Sequence, residues 1–273
     1  MSKGFSVFLL GLMLLGPAQA VADRPLSSRV IMSGHSLTDP IPPYLAAMVA
    51  GAGGRGAVID RSTIPGSPMD WRWNHPGQPV DARAAIGRYD LLVLTERVPL
   101  LDTMEHHNSP QEALRWAEHA WVQGVDTVLY ATWVTLATGP EAGDDESRAG
   151  LSFRERLERE QARWEAIRAY VNENRREGMG EMQMIPGPQI MLALEAAIAA
   201  GEAPGLRDIR DIFYDDIHVN DLGAYIMALA HFAVIYGRDP RDVPQGLGRI
   251  AVPEPELGRW LRGFVAGVVA ENP

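Results

Sequence analysis

Apolar positions along this chain fall into two alternating kinds of run. Short, nearly continuous runs occur at Arg29–Met32, Gly56–Ile59, Tyr89–Leu94, Thr127–Thr132 and Met182–Ile185. Runs of this length and character predict strands buried on both faces, as in a parallel sheet. Between them lie stretches long enough for helical crossovers. Pro42–Ala50 predicts a helix with Leu45, Met48 and Val49 on its apolar side. Ser109-Pro110 predicts the start of another, running to about Val122, because serine suits an N-cap and proline the first turn. From Ser152 to about Arg176 the pattern is most legible. Ser152 and Glu155 have capping-box spacing, and Phe153, Leu157, Trp164, Ile167 and Val171 recur on one side. Its many charges read as a solvated face. Gln189–Ala200, Asn220–Ile235 and Leu257–Val269 complete the helices, with Asn220 as an N-cap.

Two stretches break the rhythm. Ile64–Val80 holds four prolines and two tryptophans and reads as a long structured loop, while Thr138–Gly150 is acidic, glycine-containing and reads as a surface excursion. No linker tract or internal repeat divides the chain. The pattern predicts one α/β domain over residues 21–273, a three-layer α/β/α sandwich around a mainly parallel five-stranded sheet.

Composition changes this picture at the N-terminus. Lys3, the apolar run Phe5–Leu15 and the small-residue pattern Ala18-Gln19-Ala20 predict a cleaved signal peptide over residues 1–20. The run is short for a membrane span. The expected location is periplasmic or secreted, without stable membrane insertion after cleavage. The chain has no cysteine, which excludes disulfides, thiolate catalysis and cysteine-ligated metals. A formal charge of −10 argues against a general nucleic-acid binder. Gly51–Gly56 is glycine-rich but has neither dinucleotide spacing nor a P-loop lysine, so it reads as a turn.

The chemistry gathers at two distant points. Gly34-His35-Ser36-Leu37-Thr38-Asp39 follows the first predicted strand, at the sheet edge where α/β sites form. Asp215-Asp216-Ile217-His218 supplies a carboxylate three residues before a histidine. A hydroxyl, an imidazole and an acid are the components of nucleophilic ester hydrolysis, with Asp216 a rival to Asp215 as the orienting acid.

The first block resembles the nucleophile block of the SGNH, or GDSL-like, hydrolases, and the second resembles that family's terminal acid-x-x-histidine block. The resemblance covers residues 28–237 in fold and is specific at its two ends. It implies an SGNH-hydrolase-like fold, Ser36 as nucleophile, and Asp215 and His218 in the acid and base positions, with no cofactor. It further implies an oxyanion hole from the main-chain N–H groups of Ser36 and Gly66, the latter in Ile64-Pro65-Gly66-Ser67. The family's Gly-x-Asn motif after the third strand is replaced by Thr95-Glu96-Arg97. Arg97, Asn74 or Asn108 are the side chains that could compensate, with Asn108 favoured because it follows the same strand. The block also differs from the glycine-x-serine-x-glycine elbow of the α/β-hydrolases.

Around this core, Trp71, Trp73, Asn74, Arg97, His107 and Trp133 are candidate substrate contacts. If Met69–His75 is extended, Trp71 and Trp73 share a face that stacks on a sugar or closes the core. His106 and His107, with His35, Asp39, Asp215 and His218, lack dedicated metal-ligand spacing, and no metal is expected. The expectation is a serine esterase acting on a small-molecule or polysaccharide ester, with a carbohydrate O-acetyl group as first choice. A lipase or thioesterase of the same fold, a metal-dependent hydrolase and a non-catalytic carbohydrate-binding or assembly protein are the alternatives. Protein partners stay unspecified.

Overall fold

The structure, a computed structural model, describes residues 24–273 apart from Glu141. The predicted signal peptide lies outside the described residues. In chain order the strands are β1 (Arg29–Gly34), β2 (Val58–Thr63), β3 (Gln78–Pro79), β4 (Leu91–Leu94), β5 (Asp126–Ala131) and β6 (Gln183–Pro186). The helices are α1 (Ile41–Gly51), α2 (Met69–Asn74), α3 (Ala82–Ala85), α4 (Leu100–His106), α5 (Ser109–Val122), α6 (Asp145–Arg148), α7 (Phe153–Asn174), α8 (Gly187–Ala199), α9 (Asp221–Tyr236) and α10 (Pro255–Glu271).

The strands form one sheet in the order β3-β2-β1-β4-β5-β6. β1 sits between β2 and β4 with parallel pairing on both sides, Val30 opposite Ile59 and Leu91. Alternation along the strands sends side chains to two separate cores. Val30, Met32, Leu91, Val93, Val128 and Tyr130 face α1, α8, α9 and α10. Ile31, Leu92, Leu94 and Leu129 face α5 and much of α7. Side chains on successive strand positions point to opposite faces, so a strand covered on both sides must be apolar throughout. α9 is buried from Gly223 to Tyr236, which explains why its sequence shows no polar face.

All five predicted strands are present, and the sheet has a sixth. β3 pairs antiparallel with Ser62 and Thr63 at the sheet edge. Two residues with one proline carry no apolar signature, and only an edge tolerates the missing N–H donor. β2 also runs four residues beyond its predicted end, into Asp60-Arg61-Ser62-Thr63, because β1 supplies main-chain partners as far as Gly34. The proposed Ile64–Val80 loop contains α2 as well as β3. The Ser152–Glu155 capping box is formed, and Asn220 accepts from the N–H groups of Leu222 and Gly223.

Candidate active site

β1 delivers its last residue to the C-terminal edge of the sheet, and the chain turns there. Thr38 N–H donates to His35 O at 2.8 Å and Asp39 N–H to Ser36 O at 3.3 Å. Gly34 is required at this bend, since a Cβ would collide with the Thr38 hydroxyl. His35 points inward and is buried. Its Nε2–H donates to Glu96 O at 2.9 Å, and its Nδ1 accepts from Leu37 N–H at 3.4 Å. Burial, reinforced by the nearby Arg72 charge, holds its pKa down to about 3. His35 is therefore a neutral structural ring that fixes the serine turn.

The acid and base lie on a tight loop closed by pairing between Phe213 and Val219 and by Tyr214 N–H donating to His218 O at 3.0 Å. Asp215 Oδ1 accepts the main-chain N–H groups of Ile217 at 2.8 Å and His218 at 2.6 Å. Its Oδ2 is 2.8 Å from His218 Nδ1, and His218 Nε2 is 2.9 Å from Ser36 Oγ. With Nδ1–H given to the carboxylate, Nε2 is left to accept from the serine hydroxyl. Desolvation raises the Asp215 pKa, but its three hydrogen bonds outweigh that and hold it below the usual carboxylate value. Asp216 turns outward to Arg210 at 2.9 Å and is 56% exposed, so it does not orient the ring.

A brace from the end of β5 supports this loop. Trp133 Nε1–H donates to Ile217 O at 2.7 Å, Leu136 N–H to Asp216 O at 2.6 Å, and Thr135 Oγ1 to the same oxygen at 3.2 Å. Trp133 is wholly buried. That corrects its expected role: it is a strut under the loop, with no face open to a ligand.

Ile64–Ser67 forms a turn closed by Ser67 N–H to Ile64 O, with Pro65 and Gly66 at its centre. Gly66 has φ +63°, which a Pro-Gly centre accommodates at little cost. Among the described residues, neither Ser36 N–H nor Gly66 N–H donates to a protein acceptor. Thr95-Glu96-Arg97 supplies no side-chain amide. Glu96 is buried and accepts from Met69 N–H at 2.9 Å and Arg97 N–H at 2.6 Å, while the Arg97 side chain is exposed.

The cleft over Ser36 has a volume of about 290 Å³ and is lined by Ser36, Leu37, Asp39, Pro40, Tyr214, His218 and Val219. Tyr214 was not anticipated. Its ring lies parallel to His218, with centroids 5.6 Å apart, and is 70% exposed. An aromatic residue directly before the acid block was the available signal. Asp39 offers a carboxylate whose Oδ1 is held by Arg61 at 2.8 Å and Thr63 at 2.6 Å.

The other expected contacts do not line this cleft. Met69–Asn74 is helical, so Trp71 and Trp73 do not share a face. Trp71 stacks on His75, and Trp73 is held by Arg115, Arg83, Trp116 and His119. Asn74 donates to Asp70 O, and His107 Nδ1 lies 3.0 Å from Asp70 Oδ2. Asn108 is an exposed residue in the left-handed region just before α5. Among the described residues, no three histidine or acidic side chains are grouped so as to hold a metal ion. A larger hollow of about 710 Å³ lies at the opposite edge of the sheet, but its Arg24, Arg168 and Asn172 are already paired with protein groups.

No family model and no curated protein matches this sequence. Solved structures do match. A DUF4886 family protein from Bacteroides uniformis aligns over 89% of this chain and 95% of its own, with TM-score 0.66 and 13% identity. A candidate SGNH hydrolase from Slackia heliotrinireducens aligns over 76% of this chain and 98% of its own, with TM-score 0.51 and 19% identity. The fold is that of the SGNH hydrolases.

Proposed function

We propose that this protein is a serine ester hydrolase that removes short acyl groups from a hydroxyl-rich alcohol. The observation that carries the reading is the continuous Asp215–His218–Ser36 hydrogen-bond chain at 2.8 and 2.9 Å. Ser36 Oγ attacks the ester carbonyl while His218 Nε2 takes its proton, and Asp215 stabilises the imidazolium. Ser36 and Gly66 N–H groups stabilise the oxyanion. Collapse breaks the ester C–O bond, and the imidazolium proton goes to the departing alcohol. Water, deprotonated by His218, then cleaves acyl-Ser36 and releases the carboxylic acid.

The cleft volume favours a short acyl group over a long chain, since it sits at the low end of ligand pockets, roughly 300–1,000 Å³. The exposed Tyr214 ring and the Asp39 carboxylate favour a carbohydrate alcohol, offering a face for stacking and an acceptor for hydroxyls. The test is acetate release from p-nitrophenyl acetate and from an acetylated xylo-oligosaccharide. Ser36→Ala is expected to abolish both reactions, and Tyr214→Ala to raise KM several-fold for the sugar ester alone. Undiminished turnover in Ser36→Ala would sink the serine mechanism; equal effects of Tyr214→Ala on both esters would remove the carbohydrate assignment. Binding of the sugar ester without turnover would favour the non-catalytic alternative.

A further inference from the structure

Arg72 is a full positive charge in a place where charge is costly. It lies on α2, is 2% exposed, and spreads its guanidinium over three segments. Nε donates to Ser33 Oγ at 3.2 Å, on β1 three residues before Ser36. Nη1 donates to Ser67 O and reaches Ser67 Oγ at 3.3 Å, beside Gly66. Nη2 donates to Thr95 O, at the end of β4. Burial lowers its pKa to about 10, opposed by the charges of Glu96 and Asp70, so it stays protonated at neutral pH. Glu96 binds the same region from the other side. Its carboxylate accepts from Met69 N–H, just past the Gly66 turn, and its main-chain oxygen accepts from His35 in the serine turn.

Every contact in this network ends on one of the segments that carry the two free N–H groups or on the strand ends beneath them. Arg72 and Glu96 make no direct ion pair; each is a costly buried group held by main-chain and hydroxyl partners, so neither is an efficient source of net stability. Their retention here has a geometric use: they fix the relative position of two main-chain donors that come from separate loops.

We infer that Arg72 and Glu96 are positioning residues for the oxyanion hole, anchoring the Gly66 turn to the serine turn where the Thr95-Glu96-Arg97 segment has no side-chain amide. The inference rests on the esterase reading above. Two main-chain donors then carry the oxyanion without a third, and their mutual placement becomes the quantity that Arg72 controls.

The test compares Arg72→Lys with the charge-neutral pair Arg72→Gln/Glu96→Gln. Lysine is a point charge without the planar fork, so it cannot hold Ser33, Ser67 and Thr95 together. The double variant leaves no lone buried charge and serves if Arg72→Lys fails to fold. Activity is measured on p-nitrophenyl acetate and on its thiono analogue, in which C=S replaces C=O. Sulfur is a weaker hydrogen-bond acceptor, so the oxo-to-thiono ratio of kcat/KM reports on the oxyanion donors. Full loss of one donor costs about 10²–10³ in kcat. Misplacement is expected to lower kcat about 10- to 100-fold, with KM within about threefold and the oxo-to-thiono ratio falling in step. A folded variant with an unchanged ratio overturns the positioning role, even if its stability has dropped. Undiminished hydrolysis by Ser36→Ala overturns the esterase reading itself, and this inference with it.

Discussion

Asp215→Asn is the substitution that tests the acid–base relay most sharply. In the native loop Oδ1 accepts two main-chain N–H groups, and Oδ2 accepts His218 Nδ1–H at 2.8 Å. Asparagine has one acceptor and one donor end. If its oxygen keeps the two main-chain bonds, its NH2 faces Nδ1, and the imidazole must place its proton on Nε2. That tautomer cannot take the proton of Ser36. Reversing the amide restores the tautomer but turns an NH2 toward two N–H donors, at a cost of roughly 2–3 kcal/mol. About one molecule in 10² then holds a productive ring. Loss of the charge-assisted bond to the imidazolium removes a further ~1.5–3 kcal/mol in the transition state. Together these predict a fall in kcat/KM of about 10³–10⁴, comparable to the loss when a serine-triad aspartate becomes asparagine. The assay is steady-state hydrolysis of p-nitrophenyl acetate, with thermal unfolding to confirm that the loop is intact. Asp216→Asn is the control and is expected to stay within about threefold of wild type. If Asp215→Asn keeps kcat/KM within tenfold, the tautomer argument is refuted.

Two further predictions concern the Trp133 brace and the buried histidines. Trp133→Phe keeps a ring in the core but removes the Nε1–H that holds Ile217 O. It should cost about 1–2 kcal/mol in denaturant unfolding and lower kcat several-fold more than it changes KM. An unchanged kcat would show that the brace is not needed. His35 and His231 are buried, and burial lowers their pKa values to about 3 and about 4. Below the ordinary histidine value of ~6.5, the unfolded chain binds protons that these rings refuse, so acid destabilises the fold by up to ~1.4 kcal/mol per pH unit per ring. Glu160, raised to about 7 by burial, acts in the opposite sense, losing stability as pH rises from about 4.5 to 7. The readout is therefore the difference between wild type and His231→Leu in urea melts from pH 7 to 4.5. The variant should lose stability less steeply as pH falls, by about one proton, and parallel curves would contradict the buried neutral ring.

Features under local control are legible in the amino-acid order. The apolar runs marked β1, β4, β5 and β6, because parallel strands buried on both faces admit few polar residues, while β2 showed only its first two apolar residues because its Asp60 and Arg61 are not fully covered. Ser152 with Glu155, and Asn220 before α9, marked helix starts, because the capping partners lie within three residues. Asp215 and His218 could also be paired from spacing, since both sit on one short loop. The remaining features come from long-range packing. Ser36 meets His218 across 182 residues through the parallel order of the strands, which no local pattern encodes. The edge strand β3 exists because β2 offers it unpaired main-chain groups. An extended Met69–His75 would place Trp71 and Trp73 on one face, but the segment is helical and α2 separates them, while Tyr214 enters the cleft through the turn of its loop. Arg72 gave no signal in the sequence, because its partners Ser33, Ser67 and Thr95 lie on three different segments. Burial and long-range hydrogen bonding are properties of the packed chain, and they assign to a surface-looking arginine the place beneath the Ser36 site.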